Sequence, residues 1–165
     1  MRRFSAVAGS AAFFVAAPCA VAGLVPWLLT GGWAAPASAL PRITPLCWLA
    51  IAGALVVLLE AFARFALDGL GTPAPIAPTR KLVIRGTYRH VRNPMYLAVV
   101  VLIFAQALLF SSWPVAIYGL VAGATMASFV RLHEEPTLSG RYGAEYETYR
   151  RAVPGWLPRL RPWKG

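Results

Sequence analysis

Residues 94–132 read PMYLAVVVLIFAQALLFSSWPVAIYGLVAGATMASFVRL. Met95 to Phe110 carries no charge, and Trp113 to Leu132 carries only Arg131. Ser111 and Ser112 part the two runs. About 20 apolar residues are needed for a helix to cross the hydrocarbon of a bilayer. The second run meets that length. The first is shorter and starts from Asn93 and Pro94, and proline suits a first helical turn. The stretch is therefore a helical hairpin in a membrane, and the fold class is an all-α integral membrane protein.

Two more apolar runs lie upstream, Phe4 to Leu29, interrupted by Pro18 and Pro26, and Ile43 to Leu67. Together they predict four transmembrane helices at about 4–29, 43–67, 94–110 and 113–132, within one membrane domain spanning 1–165. Met1-Arg2-Arg3 and Ala37-Ser38-Ala39 also fit a signal peptide and its cleavage site. The apolar stretch between them exceeds the roughly 7–15 residues of a signal core, so it is read as a retained helix.

Composition agrees. Hydrophobic residues make up 58% of the 165 and charged residues 13%, against about 25% in soluble domains. The net charge of +10 does not indicate nucleic acid here, because the basic residues sit between apolar runs. Arg2 and Arg3 precede the first helix, and Arg42 alone lies between the first and second. Arg80, Lys81, Arg85, Arg89 and Arg92 lie between the second and third. Arg141, Arg150, Arg151, Arg159, Arg161 and Lys164 follow the fourth. By the positive-inside rule both termini and the 68–94 loop are cytoplasmic. The expected location is the plasma membrane of a bacterium, with anionic lipids as partners of the basic clusters. Cys19 and Cys47 lie in apolar runs without metal-ligand spacing and read as small hydrophobes.

The 68–94 loop contains Pro73, Pro75 and Pro78, which favour extended chain. Leu82-Val83-Ile84 predicts a short strand-like or membrane-grazing piece, and Gly86 permits a turn. In the tail, Leu138, Tyr142, Tyr146, Tyr149 and Val153 recur every three or four residues. That spacing predicts one amphipathic helix, Thr137 to Ala152, on the inner face of the membrane domain. Trp156 and Trp163 suit the interface.

Three polar clusters stand at the cytoplasmic side. The first runs from Gly86 to Tyr96 and contains Tyr88, Arg89, His90, Arg92 and Asn93. It reads either as an interfacial anchor or as a polar pocket at a helix start, where free N–H groups and arginine hold a carboxylate or phosphate. The second is His133-Glu134-Glu135. Its carboxylates oppose the dipole at a helix C-terminus unless a cation or hydroxyl answers them. No metal is expected there, because adjacent helical residues point about 100° apart. The third is Glu60 with Arg64, an intrahelical pair that is either structural or a support for a site.

The ordered set Gly71-Thr72-Pro73, Lys81-Leu82-Val83, Gly86-Thr87-Tyr88-Arg89, Arg92-Asn93-Pro94-Met95-Tyr96, Glu134-Glu135-Pro136-Thr137-Leu138, Tyr142-Gly143, Tyr146, Tyr149, Val153-Pro154, Trp156 and Pro158 resembles the isoprenylcysteine carboxyl methyltransferase family. The wider group includes phospholipid methyltransferases, and the likeness covers about 68–158. It implies an S-adenosylmethionine pocket built from cytoplasmic segments 71–96 and 131–158. The matching cofactor positions are Arg80, Lys81, Leu82, Val83, Tyr88, Arg92, Asn93, Pro94, Met95, Tyr96, Glu134 and Glu135. His90, Arg131 and His133 are candidate acceptor-side residues, and either histidine is a candidate base for an amine acceptor. The sequence departs from the prenylcysteine enzymes at Asn93, where they carry histidine, at Ala98, where they carry glycine, at Val130, and at Gly155, where an arginine is common. These departures bear on the prenylcysteine acceptor and leave the cofactor segments intact. The implied function is methyl transfer to a small or lipid-like acceptor. A phospholipid N-methyltransferase is the alternative within the enzymes, and a non-catalytic membrane subunit or lipid-binding scaffold is the alternative outside them.

Overall fold

A computed structural model describes residues 15–33, 41–67 and 82–164. All regular structure among them is helical. The first helix, α1, is a π-helical segment, Val15–Leu24, that continues as an α-helical one, Val25–Leu29; the expected residues 4–14 lie outside the described chain. A short 3₁₀ turn, Pro41–Ile43, leads into α2, Thr44–Leu67. The third helix, α3, is Pro94–Leu109, and α4 is Trp113–Phe129.

Among the described residues, two helices are long and apolar enough to cross a membrane, Thr44–Arg64 and Trp113–Tyr142. Their outer faces carry large apolar side chains in the open, among them Leu49, Val56 and Leu59 on α2 and Ile117, Leu120 and Val121 on α4. A soluble protein would cover such faces, whereas hydrocarbon solvates them. The third helix is different. It has 16 residues, about 24 Å at 1.5 Å per residue, and packs on α1, α2 and α4. Ala98, Val99, Leu102, Ile103 and Ala107 are buried in one core with Ala54, Leu58 and Phe62 of α2 and Val115 of α4. Its apolar character on every side reflects a central place in the bundle.

Close approach of α3 and α4 depends on Gly119, where a Cβ would stand 3.0 Å from Ile103 Cγ2. At the far end, the Gln106 amide donates to the Ala22 carbonyl (2.7 Å) and accepts from Trp33 Nε1 (3.2 Å). The Tyr118 hydroxyl donates to the Val21 carbonyl (2.9 Å). These bonds hold α1 to the α3–α4 hairpin without leaving a buried polar group unpaired.

The tail differs from expectation in two ways. First, α4 does not stop at residue 132. A π-helical turn, Val130–Glu134, carries it directly into α5, Glu135–Tyr142. Pro136 has no N–H for a helical bond and its ring crowds the preceding turn; the wider π turn just ahead of it accommodates both defects. Second, the predicted single helix over Thr137 to Ala152 is broken at Gly143 (φ 53°, ψ −127°), and α6 occupies Ala144–Ala152. Periodicity could not reveal the break, because the buried face resumes in phase beyond it. Leu82-Val83-Ile84, expected as a short strand-like or membrane-grazing piece, forms no regular structure and pairs with no strand among the described residues.

Gly143 occupies a backbone region essentially reserved for glycine, and a Cβ there would meet nothing within 4 Å. Gly143→Ala is therefore expected to cost about 1–3 kcal/mol through conformation alone. Gly140→Ala, in mid-helix with equal space, should instead stabilise by about 0.4–1 kcal/mol. Thermal unfolding midpoints in detergent micelles separate the two.

Candidate active site

The basic end of the bundle holds the C-terminal end of α2, the start of α3 and the continuation of α4 into α5. The chain arrives there through residues 82–85, of which Arg85 is extended (φ −116°, ψ 162°). Val83 turns inward to Ala61 and Tyr88, while Leu82 and Ile84 turn outward to the tail cluster of Tyr146, Tyr149 and Val153. This alternation is what an extended backbone dictates.

A 3₁₀ turn, Gly86–Arg89, follows, and Glu60 of α2 fixes its position. One Glu60 carboxylate oxygen accepts from the Thr87 N–H (3.2 Å) and the Thr87 hydroxyl (2.6 Å). The other pairs with Arg64 Nε at 2.9 Å. Gly86 makes the fit possible: its φ is 60°, and a Cβ would fall 1.8 Å from Glu60 Oε1. The Glu60–Arg64 pair thus reaches beyond its own helix. It locks a membrane helix to the turn that presents Tyr88.

Beside this turn is an open cavity of about 180 Å³. Leu82, Val83, Tyr88, Arg92, Asn93, Pro94, Met95 and Tyr96 line it from one side, and Glu134 from the other. The hairpin α3–α4 and the π turn bring Glu134 across 38 residues of sequence to the Tyr96 hydroxyl, which donates to its carboxylate. Burial pushes the Tyr88 phenol well above its ordinary range, so its ring is neutral at physiological pH. The walls are thus mostly apolar and aromatic, with one carboxylate, whose partner among the described residues is a hydroxyl.

Arg92 closes the site from the tail. Its Nε donates to the Val153 carbonyl (3.0 Å), and its Nη1 pairs with Glu135 (2.6 Å) and donates to the Tyr146 hydroxyl (3.0 Å). Its main-chain N–H donates to Pro154 (2.9 Å), and that of Asn93 to Gly155 (3.3 Å). The expected carboxylate cradle at Arg92 and the Asn93 N–H is therefore engaged with the tail. Glu135 does not line the cavity; it anchors Arg92 and lies 3.9 Å from Arg150. Two departures from the prenylcysteine pattern also meet here. The Asn93 side-chain amide donates to the Gly155 carbonyl (3.1 Å), and a Cβ at Gly155 would stand 3.2 Å from Arg92 Nη2.

The remaining predicted residues lie elsewhere. The His90 ring nitrogen Nδ1 bonds the Arg159 carbonyl at 2.8 Å, outside the cavity lining. Arg131 and His133 are exposed, and the His133 ring lies 5.5 Å from that of Phe129. Arg80 and Lys81 fall outside the described residues. Conversely, the cavity takes wall residues to which no motif pointed, Ala17, Pro18 and Val21 of α1, Phe62 of α2 and Met126 of α4, together with Leu138 and Tyr149 from the face predicted for the tail. Pro18, one of the two breaks in the first apolar run, was a visible sign that this helix is not uniform.

A family model described as phospholipid methyltransferase matches residues 46–145. The chain belongs to that family. It is a membrane methyltransferase. No curated protein matches the chain. The matched stretch holds α2, the Gly86–Arg89 turn, the α3–α4 hairpin and Glu134; most of α6 and the end of the chain follow it.

Tyr149 supports the wall from behind, its hydroxyl donating to the Tyr88 carbonyl at 2.7 Å. Burial raises its phenol above the usual value. The unfolded phenol ionises near pH 10 while the folded one keeps its proton, so this contribution is complete below about pH 10 and is lost as pH rises beyond it. Tyr149→Phe is expected to cost about 1–3 kcal/mol at neutral pH, because the carbonyl loses its partner. It should also flatten part of the alkaline loss seen in unfolding curves recorded from pH 8 upward.

Proposed function

We propose that the cavity is the methyl-donor site of an S-adenosylmethionine-dependent enzyme that methylates a lipid-like acceptor at the cytoplasmic membrane surface. The observation that carries this reading is the meeting of Leu82, Val83, Tyr88, Met95 and Tyr96 with Glu134 in one largely apolar cavity. Such a donor set fits a cationic nucleoside. Leu82 and Val83 offer apolar flanks for a base, Glu134 an acceptor for ribose hydroxyls, and Tyr88 and Tyr96 ring faces for a cation, each such contact worth about 0.5–2 kcal/mol. When bound, S-adenosylmethionine supplies a methyl group already activated on a sulfonium. The residues of the chain then have mainly to align acceptor and methyl, which can lower a barrier by roughly 7–11 kcal/mol.

The family match favours a phospholipid headgroup as acceptor. An amine must be neutral to attack, and neither His90 nor His133 lines the cavity, which leaves Glu134 as its one carboxylate for a proton. A carboxylate acceptor would need no base. In either case the hydrocarbon of the acceptor stays in the bilayer while its head reaches the cavity. The two shorter apolar helices beside the two long ones and the arginine distribution support four crossings, with both termini and the 68–94 loop in the cytoplasm and anionic lipids beside the basic loops.

Calorimetric titration of S-adenosylmethionine into the purified protein tests the donor site. Wild type should bind, and Glu134→Gln and Tyr96→Ala should each weaken binding by about tenfold, or roughly 1.4 kcal/mol. No binding to wild type sinks the enzyme reading, and binding untouched by both substitutions sinks the site. Labelled cofactor incubated with a lipid extract identifies the acceptor by its labelled product. For topology, Thr79→Cys in a chain lacking Cys19 and Cys47 should react with an impermeant reagent only from the cytoplasmic side.

A further inference from the structure

Residues 154–164 form no regular helix, yet they are tied down along their length. Beyond the two bonds to Pro154 and Gly155, the Arg159 N–H donates to the His90 carbonyl (2.9 Å) and the Trp163 N–H to the Arg89 carbonyl (3.0 Å). Arg89 Nε returns a bond to the Trp163 carbonyl, and Arg159 Nη1 donates to the Ala152 carbonyl (2.7 Å). The Trp163 ring lies 5.7 Å from Tyr149, and the Trp156 ring 6.5 Å from Tyr96. The segment is a fixed ribbon along residues 89–93, just outside Pro94, where α3 begins.

This fixed backbone presents Leu157 and Leu160 to the outside, 80% and 98% exposed. Arg151, Arg161 and Lys164 beside them are exposed too, and none has an ion-pair partner among the described residues. Bare leucines, interfacial tryptophans and unpaired cations beside the start of a membrane helix match the chemistry of one partner. Hydrocarbon takes the leucines, the headgroup layer takes the tryptophans, and anionic lipid takes the cations. A second copy fits less well, because a two-fold contact would face these cations with themselves.

We propose that residues 154–164 are a strap docked into the membrane surface, with Leu157 and Leu160 among the upper acyl chains and Arg151, Arg161 and Lys164 on anionic headgroups. The strap rests on the membrane placement of the bundle and not on the identity of the methyl donor. By holding 89–93 it also holds the cavity wall at the depth of the lipid surface.

The test places an environment-sensitive dye on Leu160→Cys in the full chain carrying Cys19→Ser and Cys47→Ala, reconstituted in vesicles of phosphatidylcholine with and without phosphatidylglycerol. A dye on Leu49→Cys, on the outer face of α2, gives the deep reference. The expected result is blue-shifted emission, quenching by nitroxides carried at the headgroup and upper chain, and severalfold protection from aqueous iodide, all stronger with phosphatidylglycerol. Water-like emission quenched by iodide in both vesicles overturns the strap. So does a blue shift that grows with protein-to-lipid ratio and ignores lipid nitroxides, which would mean that another copy covers the leucines. Equal docking in the two vesicles overturns the role given to the cations.

Discussion

Arg92 is the group on which the basic end of this protein depends. One guanidinium reaches the Val153 carbonyl, the Glu135 carboxylate and the Tyr146 hydroxyl, so it joins the start of α3 to α5, α6 and the end of α6 at once. Its side chain and that of Glu135 are largely buried, at 13% and 18% exposure. Removing one member of such a pair leaves a charge without compensation, at about 3–5 kcal/mol. The planar fork of arginine meets three acceptors in different directions, which the point charge of lysine could not do. Because the cavity lies between α3 and the α4–α5 rod, its shape follows from this tie.

The rest of the molecule divides the work by solvent. In the bundle, apolar packing around α3 and a few closed hydrogen bonds such as those of Gln106 are enough, since lipid offers no competition for backbone groups. At the basic end the polar groups are many, and those that set the cavity wall, Arg92, Asn93 and Thr87, have partners. Glu60 belongs to both regimes. It sits on a membrane helix yet its carboxylate holds Thr87, so the turn carrying Tyr88 is registered against α2 rather than left to its loop.

Much of this could be read from sequence, for identifiable reasons. The apolar runs located α2, α3 and α4 because a bilayer demands length and composition together. The ordered motif pieces located Tyr88, Met95, Tyr96 and Glu134, which do share a cavity, but only likeness to a family related segments so far apart. What could not be read was how polar groups choose among partners. Arg92 and the Asn93 N–H seemed free for a ligand because the tail that takes them lies about 60 residues away. His90 looked like a candidate base for the same reason. The continuity of α4 into α5 was hidden because proline ordinarily ends a helix, and only a π turn lets the chain pass it. The break at Gly143 was hidden because its two sides share one buried face.

The pairing of 92–93 with 153–155 also has a consequence for the order of events during synthesis. A chain acquires its structure from the N-terminus as it emerges, and the helices up to α4 can enter the bilayer while the tail is still being made. The acceptors for Arg92 and Asn93, and the ribbon that follows them, leave the ribosome after all four helices. The cavity wall is therefore closed only once residues 153–155 have emerged. A nascent chain can sit in the bilayer while its cavity is still open to water, so insertion and the closing of the cavity are separate events in the life of this molecule.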